Sequence, residues 1–165
     1  MSILTRSRSE TLASVTCMAE HVLFVCVHNS ARSQMAEGLL RALGGNRYEV
    51  HSAGAQPTYV RRLAIEAMAE IGIDISRQRS KRVEELPRCG FGIVVALCSE
   101  NEMCPLPAKL GRLRHWPFED PSRGEGIEAY RNVRDGLRRL IEIELLDEGD
   151  LFENGDAYRL APSLG

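Results

Sequence analysis

The sequence predicts an α/β fold, a four-stranded parallel sheet flanked by helices in three layers. Short β-branched apolar runs alternate along the chain with segments whose apolar residues recur at helical spacing. At 165 residues, 44% hydrophobic and 27% charged, the chain has the length and composition of one globular domain. It shows no internal repeat and no interdomain linker.

His21–Val27 reads as a buried strand that passes straight into a loop at Asn29-Ser30. The next residues place Met35, Leu39, Leu40 and Leu43 on one helical face, and Gly44-Gly45 stops that helix. Tyr48–Ser52, ending at Gly54, is the second strand. Ala64, Ile65, Met68, Ala69 and Ile71 form the stripe of a second helix capped by Gly72. Phe91–Cys98 and Gly111–Trp116 are the third and fourth strands. A last helix runs from about Glu125 to Leu146, with Ile127, Tyr130, Val133, Leu137, Leu140, Ile141 and Leu145 at helical spacing. Residues 1–19 read as a disordered extension, 20–147 as the domain and 148–165 as a tail.

The net charge of -2 offers no long-range attraction for nucleic acid or an anionic membrane, so an anion must be caught by a local site. No apolar run approaches the roughly 18 residues that span a bilayer. Arg6 and Arg8 precede no apolar signal core, and Glu10 interrupts the stretch. The 5 cysteines, Cys17, Cys26, Cys89, Cys98 and Cys104, are an odd number in a chain whose core needs no staples. They suit catalytic or redox thiols in a reducing compartment, and a cytoplasmic location is expected. Cys17 reads as incidental.

Chemistry concentrates where the first strand meets the first helix. The backbone amides of Val27, His28, Asn29, Ser30, Ala31, Arg32 and Ser33, with the positive end of the helix, form a cradle for a tetrahedral oxyanion. Arg32 can fold back to grip two of its oxygens. The same field favours the thiolate of Cys26, making it a nucleophile. Ser33 can donate to that sulfur, and Asn29 can hold the loop through its amide. His28 is expected to bond to backbone rather than to act on the thiolate.

Val22–Leu40 resembles the phosphate loop and first helix of the low-molecular-weight tyrosine phosphatase family. The Ser33-Gln34-Met35-Ala36-Glu37-Gly38 run resembles its arsenate reductase branch. The likeness continues through His51-Ser52-Ala53-Gly54, Gly72-Ile73-Asp74-Ile75-Ser76 and His115-Trp116-Pro117-Phe118-Glu119-Asp120-Pro121, over residues 20–146. Ala31 departs from relatives that carry a second loop cysteine there. The resemblance makes Asp120, rather than Glu119, the proton donor to the departing oxygen, with Pro121 holding its backbone extended.

Cys98 and Cys104 choose between branches, since a phosphatase has no use for two more thiols at the end of the third strand. By resemblance to the arsenate reductases, Cys26 attacks arsenate, Cys98 attacks Cys26 and releases arsenite, and Cys104 then attacks Cys98. The resulting disulfide would be reduced by thioredoxin or a similar dithiol donor. No bound cofactor or metal is implied beyond this external thiol reductant, and phosphate or sulfate would fit the same loop. The polar segment between the two cysteines is expected to be mobile, with Cys104 starting away from the site. The Cys98-x5-Cys104 spacing is one residue shorter than in thioredoxin-coupled members.

Cys89 reads as structural, with a resolving role as its alternative. His115 reads as a core or supporting histidine beside Trp116 rather than a catalytic base. Relatives that bind potassium use a carboxylate where this chain has Lys81, near Gln78, and the lysine ammonium can replace the metal's charge. Arg77, Arg79, Arg82 and Arg88 read as a solvated basic cluster. A tyrosine phosphatase using Cys26, Arg32 and Asp120 is the alternative, although no tyrosine pair follows Asp120-Pro121. A regulatory oxyanion-binding module would need a partner-binding or DNA-binding segment, and none is visible.

Overall fold

Val22, Leu23, Phe24 and Val25 are fully buried in a computed structural model that describes residues 19–88 and 90–147. The readings made for Cys17, Cys89, the N-terminal extension up to residue 18 and the C-terminal tail lie outside the described residues. The buried run is the centre of β1 (Glu20–Cys26), followed by α1 (Arg32–Gly44), β2 (Tyr48–Gly54) and α2 (Arg62–Ala69). Then come β3 (Phe91–Ala96), β4 (Leu110–His115) and α3 (Gly126–Ile141), which continues as a π-helical turn over Glu142–Leu146. The strands order as β2-β1-β3-β4, and every pairing is parallel.

This order places the site. From β1 the chain steps outward to β2, then returns past β1 to begin β3 on its other side, so the connections part between β1 and β3. Register aligns Cys26 with Gly54, and Val25 with Ala96. The ends of β1 and β3, which deliver Cys26 and lead to Cys98, therefore lie side by side. β3 stops two residues earlier than the sequence reading placed it. Leu97 still donates to the Val25 carbonyl at 2.9 Å and accepts from the Phe118 amide at 3.2 Å, and at Cys98 the carbonyl faces the imidazole Nε2 of His115 at 2.9 Å while the sulfur bonds to Cys104. His115, expected in the core, is exposed, because it ends the edge strand β4.

The two flanks of the sheet are unequal. Alternation along β1 sends Val22, Phe24 and Cys26 to one face, where Met35 and Leu39 of α1, Met68 of α2 and Leu137 and Ile141 of α3 complete a large core. Glu70, which follows the last residue of α2, holds α3 through Arg134 at 2.9 Å and through Arg131. Leu23 and Val25 face the other way, into a smaller cluster closed by Leu86, with Val83 and Cys104 packed against it. Among the described residues that second flank carries a 3-10 turn, Val83–Glu85, rather than a long helix. No helix among the described residues is long and apolar enough to cross a membrane.

Gly54 is where β2 meets the loop after β1. A Cβ there would lie 2.7 Å from the Asn29 amide nitrogen, 2.7 Å from the Val27 carbonyl oxygen and 2.9 Å from the His28 carbonyl carbon. All three are backbone atoms that cannot rotate away. Gly54→Ala is expected to cost about 1–3 kcal/mol, read as a lower denaturant midpoint. Gly90→Ala, where nothing lies within 4 Å, should stay within about 0.5 kcal/mol.

Candidate active site

Asn29 sits at φ 47°, a left-handed conformation that asparagine tolerates better than most residues. Its buried side chain is bonded throughout. Nδ2 donates to Ser33 Oγ at 2.8 Å and to Ser52 Oγ at 2.9 Å. Oδ1 accepts from Gln34 Nε2 at 3.0 Å and from the Lys81 amide at 2.9 Å. Its carbonyl accepts from Gln34 and from the Ser80 hydroxyl, and its own amide donates to Cys26 Sγ at 3.2 Å. Ser33 Oγ lies 2.9 Å from the same sulfur. Because that oxygen already accepts from Asn29, its proton is free to point at Cys26.

The loop's carbonyls face outward. Those of Val27, His28 and Ser30 accept from the amides of Gln56 (2.8 Å), Thr58 (3.3 Å) and Arg61 (2.8 Å), in the segment between β2 and α2. In a planar trans peptide the following amide points the opposite way, so the N–H groups of His28, Asn29 and Ala31 turn inward. The first residue before α1, Ala31, supplies no capping side chain. The loop therefore presents amides on the side where Cys26 and Arg32 lie, which suits an anion.

Arg32 is nearly buried, its side chain only 3% exposed. Its guanidinium forks onto Glu102, with NH1 to Oε2 at 2.6 Å and NH2 to Oε1 at 3.2 Å. NH1 also donates to the Phe118 carbonyl at 2.8 Å. Burial opposes the arginine's charge, but the Glu102 hydrogen bond and the fields of Cys26, Glu102 and Asp120 outweigh it and raise its pKa. The Arg32 hydrogen bond in turn brings the Glu102 carboxyl down to about 2, with help from the Ser99 amide and hydroxyl. Glu102 is the functional-site residue that sequence reasoning missed. Lying between two cysteines in a polar stretch, it read as part of a mobile segment.

Asp120 Oδ2 stands 4.0 Å from Arg32 NH2 and 4.0 Å from His28 Nδ1. Burial pushes the Asp120 carboxyl up, but bonds from the Ser122 amide and hydroxyl, with Arg32, carry it below its ordinary value. The His28 ring thus faces this carboxylate, while its backbone carbonyl takes the bond from Thr58.

Cys98 and Cys104 are joined as a disulfide, with 5.8 Å between their Cα atoms. The Cys104 sulfur lies 3.6 Å from the carbonyl oxygen of Val25, the residue before Cys26. As a disulfide sulfur it has no proton to donate, so this is a packing contact. Cys104, expected to start away from the site, is here drawn in beside β1. Cys26 is the free cysteine among the described residues, and it is buried.

Beneath the loop, Lys81 Nζ stands 3.5 Å from Glu37 Oε2, and Arg41 lies 2.7 Å from Glu37 Oε1. Burial lowers the Lys81 pKa, against the pull of Glu37. Gln78 reaches the Gln34 carbonyl at 2.9 Å, and Arg79 pairs with Glu85 at the surface. A separate group, His21, Glu49 and His51, gathers its ligand-type atoms within 4.8 Å of one another. Glu49 already approaches both imidazoles, at 3.5 Å and 3.4 Å, and the group lies well back along β1 from Cys26.

The family model for low molecular weight phosphotyrosine protein phosphatase matches residues 21–148. The chain is similar to arsenate reductase 1 of Staphylococcus epidermidis, 39% identical over 122 residues, covering 73% of this chain and 92% of that relative. It is also similar to a solved structure described as an arsenate reductase in the phosphate binding state, with a TM-score of 0.67 and 36% identity over 74% of this chain and 94% of the other. A thioredoxin-dependent arsenate reductase of Corynebacterium glutamicum matches with a TM-score of 0.60 and 26% identity, over 82% of this chain and 67% of the other. With the family model matching most of the chain and 92% of a relative that is 39% identical covered, the chain belongs to the low molecular weight phosphotyrosine protein phosphatase family.

Proposed function

We propose that the chain reduces arsenate to arsenite through a relay of three thiols, Cys26, Cys98 and Cys104, in arsenic detoxification. Thioredoxin or a similar dithiol donor returns it to the reduced form. The observation that carries this reading is the Cys98–Cys104 disulfide beside the strand end that delivers Cys26. Hydrolysis of a phosphate ester requires no such pair. The arsenate reductases among the relatives support the substrate, and the thioredoxin-dependent enzyme supports the donor.

In this mechanism the loop amides and Arg32 hold the oxyanion with arsenic in line with Cys26. The Cys26 thiolate forms a sulfur–arsenic bond while one oxygen leaves as water, taking a proton from Asp120. The Cys98 thiolate then attacks the Cys26 sulfur. The sulfur–arsenic bond breaks with its electron pair staying on arsenic, so arsenite departs and a Cys26–Cys98 disulfide remains. Cys104 attacks Cys98 and frees Cys26 as a thiolate, leaving Cys98–Cys104 oxidised. The two electrons gained by arsenic are those lost by the thiol pair. Asp120 is a carboxylate in the present state, so its proton is taken up when a dianion enters beside it and disfavours a second negative charge.

Reduced full-length protein, mixed with arsenate and no external reductant, should release about one arsenite per chain and show Cys98–Cys104 by mass spectrometry. Cys104→Ser should stop at a Cys26–Cys98 disulfide, and Cys98→Ser should release no arsenite. Steady hydrolysis of an aryl phosphate that survives both substitutions, with no arsenite formed, would establish a phosphatase instead. Because the proton donor must be protonated, single-turnover arsenite formation should slow as pH rises. Asp120→Asn should be about 100-fold slower and lose that pH limb.

A further inference from the structure

We propose that Glu102 is the residue that clears the oxyanion site when the Cys98–Cys104 disulfide closes. Its carboxylate takes the Arg32 fork that an incoming oxyanion needs, and reduction of the disulfide gives the fork back. The inference rests on the reading of the loop as an oxyanion site, though not on arsenate being the oxyanion.

The geometry is that of a bound anion. A carboxylate meeting a guanidinium through two parallel N–H···O bonds makes the contact that a tetrahedral oxyanion would make there. Arg32 cannot offer that NH1–NH2 edge to both. NH1 spends its two protons on Glu102 and Phe118, and NH2 gives one to Glu102 with Asp120 4.0 Å beyond. A dianion added to this arrangement would face two carboxylates in a largely dry site, where like charges repel strongly. Glu102 must leave before it binds.

The disulfide decides whether Glu102 can leave. Ser99 holds the carboxylate through its amide at 2.9 Å and its hydroxyl at 3.1 Å, and its carbonyl accepts the Glu102 amide at 3.0 Å. Ser99 and Glu102 both lie inside the ring closed by Cys98 and Cys104. That ring makes the turn short and pre-set, so Glu102 reaches Arg32 with little conformational entropy left to lose. Ionised down to a pH of about 2, the carboxylate is present as a competitor throughout the working range. A dithiol gives up two electrons and two protons, becomes a disulfide itself, and leaves Cys98 and Cys104 as thiols. The opened segment must then order itself to place Glu102, and the external oxyanion gains the advantage.

Disulfide and oxyanion are thereby antagonists, and linkage makes the antagonism reciprocal. In the proposed reaction arsenite has already departed when Cys104 closes the disulfide, and closure keeps phosphate from refilling the site before the donor arrives.

The test titrates inorganic phosphate calorimetrically into the full chain, oxidised and dithiothreitol-reduced, as wild type and as Glu102→Gln. A Cys98→Ser/Cys104→Ser variant serves as an open state that needs no reductant. Oxidised wild type should bind phosphate about tenfold more weakly than reduced, and oxidised Glu102→Gln should come within about twofold of its reduced form. Phosphate should also ease reduction of the disulfide in a dithiothreitol redox buffer for wild type and not for Glu102→Gln, a dependence that a merely structural role would not produce. Equal binding by oxidised and reduced wild type, or a defect that persists in oxidised Glu102→Gln, overturns the proposal while leaving the oxyanion site standing. No phosphate binding in any form, the double-serine variant included, overturns both.

Discussion

The left-handed turn at Asn29 is the constraint on which the site's geometry rests. Reversing the backbone there aims the Asn29 amide at Cys26, and the side chain of the same residue ties the loop to α1, β2 and the 80–81 segment. Ser33, Ser52, Gln34, Ser80 and Lys81 each accept or donate a hydrogen bond there, so the turn is over-determined. A residue without a side-chain amide would leave several buried donors and acceptors orphaned at once. The outward carbonyls of Val27, His28 and Ser30, braced by the 56–61 segment, complete the same reversal from the other side.

Charge is balanced just as locally. Arg32 lies among Glu102, Asp120 and Cys26, so its burial is compensated by carboxylates from two segments, the β3–β4 connection and the stretch after β4. Behind it, Glu37 is 2% exposed and answered by Lys81, Arg41 and the Ser52 hydroxyl. Buried ions of this kind contribute little net stability but fix geometry, since removing one partner strands the other in a dry place. The two clusters meet through Ser52 and Asn29. Loop shape and ionic balance are thus parts of one network.

Much of this was legible in the residues. Periodicity gave the strands and helices in order, because β1 is apolar on both faces and α1 to α3 each carry a single stripe. The junction of Cys26 with Asn29, Arg32 and Ser33 named the loop because the spacing fits a strand-to-helix turn. The role of Glu102 was hidden, since the composition of a loop reports its solubility and not its partner. The union of Cys98 with Cys104 could be expected only by family likeness, because it depends on β3 ending beside β1 and not on any local pattern. The end of β3 was read too late for a similar reason. Leu97 and Cys98 are apolar enough to continue a strand, and Leu97 does keep bonds to Val25 and Phe118, but Cys98 takes its partners, His115 and Cys104, over distance.

The unequal flanks divide the molecule by how easily its parts come loose. On the helical side the three long helices share one continuous core with the sheet, so none can lift without disturbing the others. On the opposite side Leu86, Val83 and Cys104 close a small cluster, and Met103, 88% exposed, buries almost nothing against it. Segments with so few apolar contacts open at a small fraction of the global unfolding free energy. Val83 and Met103 therefore sit on the flank with the least apolar surface to hold it down, and Cys104 lies where the two clusters meet. Cys26 lies in the larger core, where opening would expose the most apolar surface.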